Sequence, residues 1–336
     1  MAPLQNLLRV EDLTIEFDTR KGLVRALDRV SFSLGEGETL GIVGESGCGK
    51  SITSLALMGL LAPNARVSAK HLSFDGRELL KMGERERQSI RGGQMSMIFQ
   101  DPMTSLNPAF TVGFQLEEVL KAHPQKGVEP TKDGRRKRAV ELLDQVGIPD
   151  AARRLNSHPH ELSGGLSQRV MIAMAVASRP RLLIADEPTT ALDVTIQAQI
   201  LDLLRDLQRA YKMALILITH DLGVVSEMAA RTLVMYAGQA VETGLTAEVI
   251  GKPRHPYTSG LLECLPAMHL KDGAKSRLSS ITGLVPDLAA RPTGCQFHPR
   301  CARSQEPCWQ EEPSWTVADS TVTKGWRCHF PLEGTK

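Results

Sequence analysis

The 336-residue sequence has no run of about 18 or more apolar residues, which argues against a membrane-crossing helix. Its first twelve residues lack the basic start and the apolar stretch of a secretion signal. Neither sign of charge dominates: 40 Lys and Arg stand against 38 Asp and Glu, a net charge of +2. The two signs are well mixed along the chain, so the global signature of a nucleic-acid binder is missing. There is no internal repeat and no low-complexity tract. Tight C-x(2–4)-C pairs, the usual mark of structural zinc, are also absent. The chain is therefore expected to be cytosolic and soluble by itself, with any membrane association supplied by a partner. Its length and its 42% apolar content suit one large domain plus a smaller one.

What is present begins with Gly44-Glu45-Ser46-Gly47-Cys48-Gly49-Lys50-Ser51, a G-x-x-x-x-G-K-[ST] match directly after the apolar residues 39–43. Such a loop curls so that its N–H groups face the β- and γ-phosphates of a nucleotide. Lys50 adds positive charge, Ser51 offers a hydroxyl to Mg²⁺, and the helix that continues through Ile52 presents its N-terminal dipole. A second motif, Leu182-Leu183-Ile184-Ala185-Asp186-Glu187, reads as a buried parallel strand ending in two carboxylates, where ligands of open α/β sheets gather. Asp186 is expected to hold Mg²⁺ and Glu187 to polarise the water that attacks the γ-phosphate. A third is Leu162-Ser163-Gly164-Gly165-Leu166-Ser167-Gln168-Arg169, placed between the first two.

The chain around these motifs is organised simply. Leu13-Thr14-Ile15-Glu16-Phe17 and Val30-Ser31-Phe32-Ser33-Leu34 alternate apolar with polar, as half-solvated antiparallel strands do, and Gly35-Glu36-Gly37-Glu38 supplies a turn. After the phosphate loop, helical stretches and apolar strands alternate, which predicts a mainly parallel α/β core. Residues 101–165 show helical periodicity with no buried strand and are expected to form a helical subdomain. Arg135-Arg136-Lys137-Arg138 is expected to be its solvated face. Closing strands are expected near residues 233–244 with a turn at Ala237-Gly238. A proline-punctuated region then begins, with Pro253, Pro256, Pro266, Pro286, Pro292 and Pro299. The predicted division is residues 1–250 and residues 251–336.

Four of the six cysteines, Cys295, Cys301, Cys308 and Cys328, fall in that last region. A reducing compartment disfavours disulfides, so thiolate coordination is the better account of four thiols in a turn-rich segment with little core. The wide spacing suits a [4Fe–4S] cluster better than one tetrahedral Zn²⁺, which stays as the alternative beside unmetallated packing thiols. His298 and His329 are expected to be bystanders. Cys48 and Cys264 have no assigned role, although Cys48 in the phosphate loop is a candidate for oxidation.

Taken together, the motifs resemble those of ATP-binding cassettes, and the third matches that family's L-S-G-G-x-x-Q-R signature. Three further stretches are typical of the oligopeptide and dipeptide branch of bacterial ABC importers: Ile98-Phe99-Gln100-Asp101-Pro102-Met103-Thr104-Ser105-Leu106-Asn107-Pro108, the run from Asp186-Glu187-Pro188 through Ala198-Gln199, and His255-Pro256-Tyr257. The resemblance covers nearly the whole length. It implies an ABC nucleotide-binding domain of the P-loop NTPase class, with a RecA-like α/β core, an antiparallel β-subdomain, a helical subdomain and a small Cys-rich C-terminal extension.

It also implies roles residue by residue. Ser163, Gly164, Gly165 and Gln168 of the signature would serve the nucleotide held by an opposite subunit, with the hydroxyl and the two amides on its γ-phosphate. Gln100 would reach Mg²⁺, and Asp193 would belong to the D-loop. His220, a lone histidine whose motif order favours catalysis, would touch the γ-phosphate. Phe17 would stack on adenine unless it is a core residue. Glu45, Ser46, Cys48 and Ile52 would belong to the nucleotide-binding set with the rest of the loop. The implied partners are a second ATP-binding subunit, two transmembrane permeases and, indirectly, a periplasmic peptide-binding protein, with no nucleic acid. The implied location is the cytoplasmic face of the inner membrane, as a peripheral subunit. Some dipeptide systems of this kind also carry haem. The [4Fe–4S] assignment gains from the resemblance. The alternative, a soluble ABC ATPase of DNA repair or translation, is disfavoured because the chain has one cassette and no long coiled-coil insertion. A regulatory cassette without turnover is disfavoured by Lys50, Asp186, Glu187 and His220.

Overall fold

Alternation of apolar and polar residues makes the first two strands one-sided. In a computed structural model, which describes residues 6–20, 22–125, 127–264, 280–318 and 324–333, β1 (Leu8–Thr19) and β2 (Gly22–Leu34) pair antiparallel from Leu8↔Leu34 to Thr19↔Gly22. Leu13, Ile15, Leu27 and Val30 lie fully buried on one face, while Arg25 and Glu16 pair on the other. The next strand, β3 (Thr39–Val43), is buried at every position and feeds α1 (Lys50–Met58) through the phosphate loop. Three short strands missing from the sequence expectation follow: β4 (Ala65–Ser68), β5 (His71–Phe74) and β6 (Arg77–Glu78). β4 and β5 join β1, and β6 joins β5, all antiparallel. At two to four residues each, they are too short to show a period.

The chain divides into two compact units, Met82–Ile216 and the remainder, Met1–Lys81 with Leu217–Lys336. Within the former, α2 (Glu84–Ile90) precedes β7 (Met95–Ile98), which pairs in parallel with β8 (Leu182–Asp186) from Met95↔Leu182 to Ile98↔Ala185. Both strands are buried throughout, which suits their mainly apolar sequence, broken only by Ser96 and the terminal Asp186. Between them stand α3 (Pro102–Ser105), α4 (Val112–Ala122), α5 (Lys132–Gln145), α6 (Ala151–Arg154) and α7 (Gly164–Val176), and after β8 comes α8 (Val194–Tyr211). No strand is found among the described residues between Gln100 and Leu162. The basic run on α5 is only partly the solvated face expected. Lys137 is exposed, but the Arg138 side chain is 12% exposed and pairs with Glu141 at 3.0 Å. Arg136 donates to the Asn156 side chain, so these two guanidiniums are tied to this unit's own polar groups.

The rest of the larger unit opens at Leu217, within β9 (Ala214–Thr219), whose residues are all buried. α9 (Leu222–Met228), β10 (Arg231–Tyr236) and β11 (Gln239–Leu245) follow, with Ala237 and Gly238 in the hairpin turn. β10 runs parallel to β3, Arg231↔Leu40 to Val234↔Val43. Then come α10 (Thr246–Gly251), α11 (Pro256–Glu263), α12 (Glu306–Gln310), β12 (Thr316–Val317) and β13 (Gly325–Trp326), the last paired with β11. Packing is not interrupted at Gly251. Tyr257, Leu262 and Phe297 share one core with Val43, Val234 and Tyr236. Glu312 also accepts from Arg29 of β2 at 2.7 Å and from Gln239 at 2.8 Å. A proline-rich segment with few apolar residues cannot close a core alone, so it completes that of the cassette. Pro266 lies outside the described residues.

Candidate functional site

In the larger unit, β3 ends at Val43 and the phosphate loop turns away at once. Gly44 has φ 155° and a Cβ there would run into the Met235 carbonyl; Gly49 has φ 102° and a Cβ would lie 2.5 Å from the Leu27 side chain. Side-chain-free residues are therefore required at both positions. Lys50 is buried, and its Nζ donates to the Gly44 carbonyl at 2.7 Å and the Glu45 carbonyl at 3.0 Å. The ammonium thus sits inside the loop curl, among acceptors that a phosphate oxygen can replace. Ser51 stands one position on, in the first turn of α1, followed by Ile52. Ser46 and Gly47 are exposed at the loop tip. Cys48 is 0% exposed, and burial pushes its thiol pKa up despite the nearby Lys50. That overturns the oxidation candidate, because the thiolate is the reactive form and the sulfur is sealed.

The carboxylates lie in the smaller unit. Asp186 is buried as the last residue of β8. Glu187, next in the chain, has a left-handed backbone at φ 45°, a conformation that costs free energy in a residue with a Cβ and that gathers at functional sites. Its Oε2 accepts from Gln100 Nε2 at 3.1 Å and from Thr190 Oγ1 at 2.8 Å. The structure thus brings Gln100 and the expected base together, and adds Thr190, which stood outside the expected site residues. Its signal lay in the Pro188-Thr189-Thr190 run after the carboxylates.

The signature also lies in the smaller unit. Ser163 is the N-cap of α7, its hydroxyl accepting from the Leu166 N–H at 3.4 Å. Gly164 and Gly165 are the first helical residues, and the N–H groups of a first turn have no partner within their own helix. Ser163 and Gly164 are exposed. Gln168 is 2% exposed on the inner face of α7, so the nucleotide contact expected of its side chain is not available to it as placed. Asp193 caps α8, accepting from the Ile196 N–H at 3.0 Å. In the larger unit, His220 is exposed at the end of β9. Phe17 is half-buried on β1 beside Val24 and Ala65.

The four C-terminal cysteines converge. Cys295, Cys301, Cys308 and Cys328 line one hollow with His255, Phe297, Phe330 and the two other histidines, and every one of them is a free thiol. Burial pushes Cys295 up to about 11, Cys328 up to about 12 and Cys301 upward as well, so these three sulfurs stay protonated unless a metal charge holds them as thiolates. His298 Nδ1 faces the Cys295 carbonyl at 3.0 Å and His329 Nε2 faces the Glu311 carbonyl at 2.9 Å. Each ring is thereby tied to main chain. Among the described residues, no three His, Cys, Asp or Glu side chains are close enough to share one metal ion. The arrangement therefore lends nothing to the single-zinc alternative, whose ligands must meet about 2.3 Å from one atom.

Comparison with known proteins agrees with this geometry. Residues 27–190 match the ABC transporter family and residues 241–308 match the oligopeptide/dipeptide transporter C-terminal region. The dipeptide transport ATP-binding protein DppD of Escherichia coli (strain K12) is 54% identical over 328 residues, covering 97% of each chain. The oligopeptide transport ATP-binding protein OppD of Bacillus subtilis (strain 168) is 50% identical over 98% of this chain and 91% of its own. Among solved structures, the dimeric post-hydrolysis state of the ATP-binding cassette MJ0796 bound to ADP and Pi aligns with a TM-score of 0.63 at 28% identity, over 71% of this chain and 98% of that one. The fold is thus that of an ABC nucleotide-binding domain, and the chain belongs to the ATP-binding subunits of the dipeptide and oligopeptide ABC transporter family.

Proposed function

We propose that this chain hydrolyses ATP to drive the import of dipeptides or short peptides, working as one of two ATPase subunits beneath two membrane permeases that a periplasmic binding protein supplies. The observation that carries the reading is Glu187 at the end of a buried strand, strained in its backbone and fixed by Gln100 and Thr190. Each residue then has a task. The loop from Gly44 to Ser51, with Ile52, cradles the phosphates, and Lys50 moves from its carbonyl acceptors to the β- and γ-oxygens. Ser51, Asp186 and Gln100 supply the oxygen donors that suit Mg²⁺, which when bound neutralises charge on the phosphates. Glu187 orients and deprotonates the attacking water, and His220 steadies the γ-phosphate. Ser163 with the Gly164 and Gly165 amides serves the nucleotide of the opposite subunit, as does Asp193 through the D-loop. Phe17, half-buried on β1, stacks on adenine.

For the membrane partner, support comes from Phe110 and Phe114, which are 43% and 46% exposed around the start of α4, and from Phe99, 38% exposed directly after β7. Phe110 and Phe114 stack at 4.5 Å. An exposed aromatic pair of this kind suits a docking site, here for a short permease helix at the cytoplasmic face of the inner membrane. Among the described residues no helix is long and apolar enough to cross the bilayer. The division into a cassette of residues 1–250, with a helical subdomain at about 101–165, and an extension of residues 251–336 is part of this reading.

The reading also assigns a [4Fe–4S] cluster to Cys295, Cys301, Cys308 and Cys328, on the strength of their convergence around one hollow. Two experiments test these assignments. Glu187→Gln should retain ATP and hold two cassettes closed while turnover in the reconstituted transporter collapses; retained turnover rules Glu187 out as the base. Anaerobic purification should yield about four irons with matching sulfide per chain and a broad visible absorption, whereas a chain free of iron ends the cluster assignment.

A further inference from the structure

The phosphate loop is gripped from the C-terminal extension. The Glu45 N–H donates to Tyr257 Oη at 2.9 Å, and the Glu45 carboxylate receives both terminal nitrogens of Arg300, at 2.6 and 2.9 Å. Arg300 is no surface cation, since its side chain is 4% exposed against 29% for Glu45. Its other donors reach the Thr282 carbonyl at 3.0 Å, the Ile281 carbonyl at 3.3 Å and Tyr236 Oη at 3.4 Å. The guanidinium carbon lies 5.8 Å from the Tyr236 ring centre. Tyr236, Tyr257 and Phe297 pack on one another, with centroids 4.7 to 5.4 Å apart. A bidentate pair anchored this way has one geometry.

Two physical effects follow at the loop. Tyr257 engages one loop amide, and so fixes how the turn between Gly44 and Gly47 presents the remainder. Arg300 neutralises a carboxylate that stands one residue from Gly44 in a loop built for a polyanion, where an uncompensated negative charge repels the phosphates. We propose that Arg300 and Tyr257 are positioning residues for the nucleotide: through Glu45 they set the loop conformation and cancel its charge, so that the C-terminal extension governs how tightly this cassette binds ATP. The proposal rests on the reading of residues 44–51 as the nucleotide loop. Arg300 adjoins Cys301, so rearrangement of the thiol hollow reaches Glu45 within one residue.

The test is equilibrium binding of a fluorescent, non-hydrolysable ATP analogue with Mg²⁺ to the full chain, with a melting curve for each variant. Arg300→Ala should raise Kd about tenfold, and adding Glu45→Gln should bring it back to within about twofold of wild type, because the charge to be cancelled is gone. Tyr257→Phe keeps the ring but removes the acceptor, and should raise Kd about fivefold. Wild-type affinity in Arg300→Ala, or a double variant as weak as the single, overturns the proposal. Should Arg300→Ala fail to fold, the other two variants decide. The proposal then requires Glu45→Gln to bind as tightly as wild type or tighter and Tyr257→Phe to bind more weakly, and the opposite result in either overturns it. Lys50→Ala separates the two layers, since undiminished binding there strikes the nucleotide-loop reading and not the role of Arg300.

Discussion

At the scale of the residue, the two units each spend a strained or crowded backbone on a functional atom. Glu187 adopts φ 45° directly after a buried strand, a conformation that the hydrogen bonds from Gln100 and Thr190 help to over-determine. In Glu187→Gln the amide oxygen still accepts from either neighbour, so the fold is kept while the base is lost. A general base contributes about 10²–10⁴ in rate. Turnover of the reconstituted complex should therefore fall at least about 100-fold, with ATP still bound when the complex is filtered and its nucleotide counted. These residues were legible in the sequence, because G-x-x-x-x-G-K-[ST] and the paired carboxylates are fixed by a few adjacent positions. Arg300 was not: it meets Glu45 across 255 residues, and nothing near either residue announces the other.

At the scale of the element, helix starts do double duty. Ser163 caps α7 with the same hydroxyl assigned to the partner's nucleotide. Removing it in Ser163→Ala should cost about 1 kcal/mol of stability, read as a lower urea midpoint at unchanged slope. α11 starts differently: His255 Nδ1 accepts from the Tyr257 N–H at 3.0 Å and Pro256 follows at the first helical position. The imidazole is buried, and burial lowers its pKa from 6.5 to about 3. The folded value lies below the unfolded one, so between the two the unfolded chain binds the proton and the folded chain does not. Stability tied to His255 is thus whole above about pH 6.5 and declines as pH falls toward 3, by about 2 kcal/mol between pH 7 and pH 5. His255→Asn keeps a capping acceptor without a titrating ring and should remove that part of the pH dependence in denaturant titrations. His255-Pro256-Tyr257 stood out in the sequence as a family feature, yet its physical work, a cap at one end and a hydrogen bond to the phosphate loop at the other, shows only in the fold.

At the scale of the whole molecule, the extension completes the cassette's core and carries the thiols. If Cys295, Cys301, Cys308 and Cys328 share a cluster, Cys301→Ser should lower the iron content and the melting temperature together, while Lys50-dependent nucleotide binding persists in a weakened form. An unchanged melting profile and iron content would remove the cysteines from any cofactor role. The sequence by itself determined the nucleotide loop, the carboxylate pair, the signature and the alternation of strand and helix, because each rests on neighbours whose spacing the backbone fixes. It left out the short strands β4 to β6, which are too brief to show a period, and it did not reveal that residues on both sides of Gly251 fill one core. Only the tertiary structure gathered four thiols spread over residues 295–328 around one hollow, buried Cys48 and Gln168, and set Arg300 against Glu45. Those placements depend on how Val43, Tyr236, Tyr257 and Phe297 fill one core, and such packing is decided by the shapes of distant side chains together, which no local spacing encodes.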